Sequence, residues 1–292
     1  MEQMTRRGFV QFAGMGVIGA TIAGRSALAA PWGRPVGLQL YSVREQLAKD
    51  YEGTLKQVGA IGYRDVEAAG FYNRTAEQVK QAMADAQVKC VGAHYAYTAL
   101  APNVDKIIEF HKTLGCPSVV CAYSSHREAA AKGEFTIDDL RWTIEQLNGI
   151  GEKLRKEGLQ LGYHNHTPEF VRENGVLAYD AMMAAADPKL ITFEMDCGWV
   201  KVGGGDPVEL LKKYPTRISL LHVKDFKPKA DPSAKGTPPP AELGRGTIDY
   251  RPIFAAAKAS NIKHIFVEQE GFDMPPMEAL KVDYDYVNGL KG

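Results

Sequence analysis

Four polar residues in the second half of the chain stand where short apolar runs end. His164 lies in LGYHNH at 161–166, Asp196 closes FEMD at 193–196, His222 sits in LLHVKD at 220–225, and Glu268 closes IFVE at 265–268. Two imidazoles and two carboxylates are the ligand chemistry of one divalent ion such as Mn, Zn, Co, Fe or Mg. A cation held there would polarise a carbonyl and offset the negative charge of the enediolate left when a neighbouring C–H loses its proton. A carboxylate or imidazole then moves the proton. Return to the other face epimerises, delivery to the adjacent carbon isomerises, and loss of a group from the β carbon eliminates. The four ligands by themselves do not choose among these outcomes.

Bringing four runs to one point demands a scaffold whose strand ends converge, as they do in a parallel α/β barrel. The gap from His164 to Asp196 is 32 residues and from Asp196 to His222 is 26, each about one βα unit of roughly 30 residues. His222 to Glu268 spans 46. The surplus matches FKPKADPSAKGTPPPAEL at 226–243, too rich in Pro to continue a helix. This loop is expected on the catalytic face, as a lid or as a subunit contact that leaves room for a homo-oligomer. Strand-like runs recur at 36–41, 63–67, 88–94, 118–121, 159–165, 190–196, 218–223 and 264–268, with amphipathic stretches such as 75–86, 104–114 and 137–157 between them. Eight such units predict a (β/α)8 TIM barrel. Alternation sets His164 and His166 opposite Leu161 and Tyr163, and places Gln39, Glu67 and His94 at the ends of the first three strands on the inward face. Glu194 shares that face one layer below Asp196.

The N-terminal segment has a different character. TRRGF at 5–9 precedes a Gly/Ala-rich apolar run to about Gly24 and then Ala27, Leu28 and Ala29. Residues 1–30 therefore read as a twin-arginine export signal cleaved near Ala29 or Ala30, with one catalytic domain over 31–292. The apolar run is too short to span a bilayer of about 30 Å. The expected location is periplasmic or otherwise exported, with no membrane association after cleavage. Cleavage after Ala29 leaves 263 residues, close to a typical barrel of about 250. Charge is balanced at 35 basic and 35 acidic residues, which argues against nucleic acid as a partner. Cys90, Cys116, Cys121 and Cys197 form no CxxC pair, and buried free thiols are expected. Cys197 should point away from the interior if alternation persists past Asp196.

Taken in order, GLQLYSV at 37–43, GYRDVE at 62–67, AH at 93–94, YHNH at 163–166, DCGW at 196–199, HVKD at 222–225, GRGTID at 244–249 and VE at 267–268 make the chain resemble the sugar phosphate isomerase/epimerase family, the xylose-isomerase-like TIM barrels. The resemblance implies one metal on strands five to eight, carried over to His164, Asp196, His222 and Glu268. It also implies a small-molecule sugar substrate. One departure concerns strand five, where the family often has Glu-Asn-His and this chain has His164, Asn165 and His166. The ligand set thus becomes two acids and two imidazoles, and formally neutral with a divalent cation. The change also removes a potential base. Glu268, His166 and Glu169 are the candidates for proton transfer, with Lys224 as an oxyanion stabiliser. Gln39, Glu67, His94, Trp199 and Arg245 are candidate substrate contacts.

Isomerisation or epimerisation of a keto-sugar stands first on this reading. Elimination or hydrolysis of a 3-keto-glycoside, and a non-catalytic sugar-binding barrel, are the alternatives. A related endonuclease would cluster three metals, but Trp199 stands where its histidine would follow Asp-x-Gly and no Asp-x-His follows His222. No phosphate-cradling glycine loop followed by Lys-Ser/Thr is present, and export favours an unphosphorylated substrate.

Overall fold

The computed structural model describes residues 33–123, 136–231, 234 and 236–290; the expected export signal at 1–30 lies outside them. Eight parallel strands close into a barrel: β1 (Val36–Gln39), β2 (Asp65–Ala68), β3 (Lys89–Ala96), β4 (Ser118–Tyr123), β5 (Gln160–His164), β6 (Ile191–Asp196), β7 (Ile218–Val223) and β8 (His264–Val267). Each pairs with its sequence neighbours, and β8 returns to β1 through Val36 opposite Ile265 and Leu38 opposite Val267. The principal outer helices are α1 (Tyr51–Ile61), α2 (Ala76–Asp85), α3 (Val104–Leu114), α4 (Ile137–Lys156), α5 (Ala178–Ala185), α6 (Pro207–Lys213), α7 (Tyr250–Lys258) and α8 (Pro276–Gly289).

Local chemistry sets where these elements start. Thr75 with Gln78, and Thr136 with Asp139, make reciprocal capping boxes at the heads of α2 and α4. The expected first strand stops early, at Gln39, because its side chain accepts from the Tyr41 N–H and turns the chain into the 3-10 segment Leu40–Val43. A similar event follows β6. Asp196 accepts from the Trp199 N–H and caps the short helix Cys197–Val202. Alternation therefore ends there, and Cys197 is drawn into the apolar core between barrel and helices. All four cysteines are free and buried.

Two apolar layers result. The larger one joins the outward faces of the strands to the helices. Inside the barrel, Val91, Val120, Leu220 and Phe266 form a separate small cluster. Gly37 makes room for this cluster, since a Cβ there would come within 2.6 Å of the Phe266 ring. Leu220 and Phe266 precede His222 and Glu268 by two residues on the same strand face, so the apolar plug is a floor beneath the polar layer. In β3, Val91 and His94 are three residues apart, and a register shift against β2 accommodates that spacing.

Candidate metal centre and active site

Strands β5 to β8 bring His164, Asp196, His222 and Glu268 together. One ligand atom from each lies within 4.8 Å of the others, and all four residues are buried. His222 Nδ1 is 3.0 Å from Glu268 Oε2, and His164 Nε2 is 3.9 Å from Asp196 Oδ2. A second set, His94, His164, Glu194 and His222, satisfies the same separation. It lies a layer deeper and is closed by internal hydrogen bonds. Glu194 Oε2 stands 2.7 Å from His94 Nε2, 2.9 Å from His164 Nδ1 and 3.3 Å from His222 Nε2. Glu67 Oε2 stands 2.7 Å from His222 Nε2 and 2.9 Å from His94 Nε2. The lower carboxylates thus engage one nitrogen of each ligand histidine and turn the other, His164 Nε2 and His222 Nδ1, upward. This is how outer carboxylates orient metal-binding imidazoles.

The upper set fits a divalent cation. Its donors are those a catalytic ion takes, and Asp196 Oδ2 is buried without a well-formed hydrogen bond. The Lys224 ammonium stands 3.0 Å from that oxygen, 2.7 Å from Glu268 Oε2 and 2.7 Å from Glu270 Oε1. The carboxylates therefore already enclose one positive charge. Lys224 reaches them because Gly198 lacks a side chain; a Cβ there would lie 2.3 Å from Lys224 Cγ. Tyr250 Oη holds the Lys224 backbone, accepting from its N–H at 2.9 Å and donating to its carbonyl at 2.6 Å.

Charge states follow from these contacts. Burial alone would lower His94 and His222, but the acidic layer overrides it, raising His94 to about 9 through Glu67 and Glu194 and holding His222 well above the usual range chiefly through Glu194. Burial and the charge of His222 keep His164 well below it. Burial raises Asp196 to about 6; at Glu268 burial pushes the same way, but Lys224, His222 and His164 together override it and keep Glu268 well below the carboxylate range. Asp196 and Glu268 in turn overcome burial to keep Lys224 firmly protonated.

Two cavities open onto this centre. One, of about 180 Å³, is lined by Tyr41, Tyr95, Tyr123, His94, His164, His166, Glu268 and Glu270 among others. The other, of about 190 Å³, includes Trp199, Lys224, Phe226, Pro238, Pro240, Glu268, Gln269 and Glu270. His166 stacks on Tyr123 at 4.7 Å, and its ring nitrogens take no hydrogen bond among the described residues. Burial and then the Lys224 charge depress it to about 3, so it rests unprotonated.

Not every candidate faces these cavities. Gln39 and Glu67 are fully buried below His222, with Gln39 Nε2 donating to Glu67 Oε2 at 2.8 Å. Their position differs from the expected substrate contact and makes them a brace. Glu169, expected as a base, is also buried. It accepts from Tyr163 Oη at 2.6 Å and the His166 N–H at 2.8 Å, so it supports the backbone that carries His166. Arg245 is exposed, 3.7 Å from Glu242, and outside both linings.

Sequence reasoning passed over Asp225, Gln269, Glu270 and Tyr123. Glu270 was accessible by alternation, two residues beyond Glu268. Asp225 carried a signal in the glycines of GRG at 244–246, whose N–H groups it gathers.

An eight-stranded parallel barrel with a mixed imidazole and carboxylate centre at its C-terminal mouth defines the class of protein. The chain belongs to the xylose isomerase-like TIM barrel family, which it matches over residues 55–288. It is 24% identical over 246 residues to an inosose dehydratase of Clostridium perfringens, covering 75% of this chain and 82% of that one. A sugar phosphate isomerase/epimerase from Parabacteroides distasonis superposes with a TM-score of 0.71 at 28% identity, covering 93% and 98% of the two chains. A 3-keto-D-glucoside 4-epimerase from E. coli shares the fold, with a TM-score of 0.65 at 14% identity over 87% of this chain and 98% of that one.

Proposed function

We propose that this chain is a metal-dependent lyase of keto-sugar or keto-cyclitol chemistry, acting on an unphosphorylated substrate outside the cytoplasm. The observation that carries the reading is the His166 ring, with no hydrogen bond among the described residues, in a cavity shared with His164 and Glu268. A divalent cation bound by His164, Asp196, His222 and Glu268 would supply Lewis-acid polarisation of the substrate carbonyl. His166 is the group placed to take the proton from the adjacent carbon. In β-elimination the electron pair of that C–H bond becomes the new double bond, and the leaving oxygen departs with the electrons of its own bond and needs a proton. Lys224 lines the second cavity as a protonated donor. The dehydratase relatives support this assignment.

Epimerisation or isomerisation is the second reading, favoured by Glu268 and Glu270 lining the same cavity as His166. A proton taken by one group can then be returned by another. Lys224 is the only Lys or Arg among the described residues lining either cavity, and three carboxylates already engage it. That favours a substrate without phosphate. The twin-arginine segment at 5–9 supports export.

The test is proton NMR in D₂O of metal-loaded protein with inososes and 3-keto-glucosides, with and without chelator. Chelator-sensitive loss of one substituent with a new alkene signal is expected. Deuterium entry with a new diastereomer and no alkene would replace elimination by epimerisation. No exchange from metal-loaded protein across the panel would remove both.

A further inference from the structure

The two cavities differ in chemistry, and the difference bears on what the substrate carries. The first is surrounded by imidazoles, tyrosines and carboxylates, as a polyhydroxylated ring requires. The second lies beneath the Pro-rich segment, where Asp225–Phe226 pairs antiparallel with Pro240–Ala241. Trp199, Phe226, Pro238 and Pro240 give it an apolar side, alongside the charged Lys224, Asp225, Glu268 and Glu270, with the Trp199 and Phe226 ring centres 5.6 Å apart. Both cavities are bounded by Glu268 and Glu270, so they meet at the reaction centre.

Two polar atoms beside the second cavity are buried without partners. Trp199 Nε1–H is an unused donor, and Gln269 Oε1 is an unused acceptor. Gln269 is only 3% exposed, and its orientation is fixed: the Ser42 hydroxyl accepts from its backbone N–H at 2.9 Å, and its Nε2 donates to Gly271 O at 3.0 Å. An orphaned donor and acceptor in buried positions are costly unless something completes them. Both residues line the second cavity, and a hydroxyl is the partner each of these groups lacks.

We infer that the second cavity is a subsite for a hydroxylated aromatic aglycone, so that the substrate is a two-ring keto-glycoside bridging the metal centre. The inference rests on the proposed lyase reading and adds the leaving group to it. The glycosidic oxygen then crosses near Lys224, whose ammonium lies 4.8 Å from the Trp199 ring centre. The C–O bond to the aglycone breaks, its electron pair leaves on the phenolic oxygen, and that oxygen takes a proton, giving an unsaturated keto-sugar and a free phenol. No oxidant or reductant is involved.

The experiment has two arms. In the first, metal-loaded protein is given 3-keto-glucosides that differ only in the aglycone: methyl, glucosyl, phenyl and 4-hydroxyphenyl. KM should fall at least about tenfold from methyl to 4-hydroxyphenyl, with phenyl between them. Equal KM values for methyl and the aryl glycosides, or tightest binding of the glucosyl compound, would overturn the aromatic assignment. The second arm needs no turnover. Calorimetry with 4-hydroxyphenyl glucoside and methyl glucoside should give the aryl compound at least about tenfold tighter binding. Gln269→Leu and Trp199→Phe should each shrink that preference without lowering the thermal midpoint enough to unfold the protein at assay temperature. If no keto-glycoside reacts yet the aryl preference holds and both variants weaken it, the lyase reading fails and the subsite stands. If turnover occurs with no aryl preference in either arm, the subsite fails and the lyase reading stands.

Discussion

Glu194 is the residue on which the orientation of the centre depends most. One carboxylate oxygen serves His94, His164 and His222, while its other oxygen has no partner. The Glu194→Gln variant keeps the volume but replaces the shared acceptor with an amide. Apparent metal affinity should fall about 10–100-fold, as is typical when an outer carboxylate behind a ligand histidine is lost. Titration of the metal-free variant with Mn or Zn, with circular dichroism to confirm the fold, checks this; wild-type affinity would reduce Glu194 to a packing group. Arg245→Ala is the informative contrast. Its side chain is exposed and reaches neither cavity, so kcat/KM on any accepted substrate should stay within about twofold of wild type, because surface charges away from such features have small effects. A loss of tenfold or more would return Arg245 to the substrate contacts.

At the scale of elements, Asp225 does for the loop what Glu194 does for the centre. Its carboxylate accepts from the N–H groups of Phe226, Gly244, Gly246, Thr247 and Ile248. Gly246 must lack a side chain, since a Cβ would lie 2.2 Å from Asp225 Oδ1. Asp225→Ala leaves several of these donors unmet and should cost about 3 kcal/mol or more in urea unfolding, with early proteolytic cleavage near 243–248. A loss below about 1 kcal/mol would show that water replaces the carboxylate at no great cost. The barrel itself was readable in the sequence because each unit repeats on a beat of about 30 residues and each strand alternates. The convergence of His164, Asp196, His222 and Glu268 was readable for the same reason. What escaped was depth and convergence between distant segments. Alternation placed Glu67, Glu194 and Gln39 on the inward face, but it cannot tell a residue that faces a cavity from one that lies beneath the ligands. Nor could it foresee that Asp225 would draw in the loop around Gly246, a contact across 21 residues.

The whole molecule closes through α8, and one carboxyl there couples closure to pH. Tyr63 Oη donates to Leu280 O at 2.8 Å, tying α8 to the segment entering β2, and Asp283 Oδ1 accepts from the Leu243 N–H at 2.7 Å, tying it to the end of the Pro-rich loop. Burial is the main reason Asp283 is raised to about 7; the Leu243 hydrogen bond opposes the rise, while Glu242 and Asp225 add to it. In the unfolded chain the same carboxyl titrates near about 3.9. Between roughly pH 4 and 7 the native protein therefore holds a proton that the unfolded chain has released. Stability from this group falls as pH rises through that window and levels off above it. Asp283→Asn keeps an acceptor for Leu243 and cannot ionise. Its thermal midpoint, compared with wild type from pH 5 to 8, should gain progressively up to about pH 7 and then run parallel. A constant difference across the range would mean that Asp283 is ionised in the folded protein throughout, and that α8 is held to the barrel without a pH-dependent contribution from this contact.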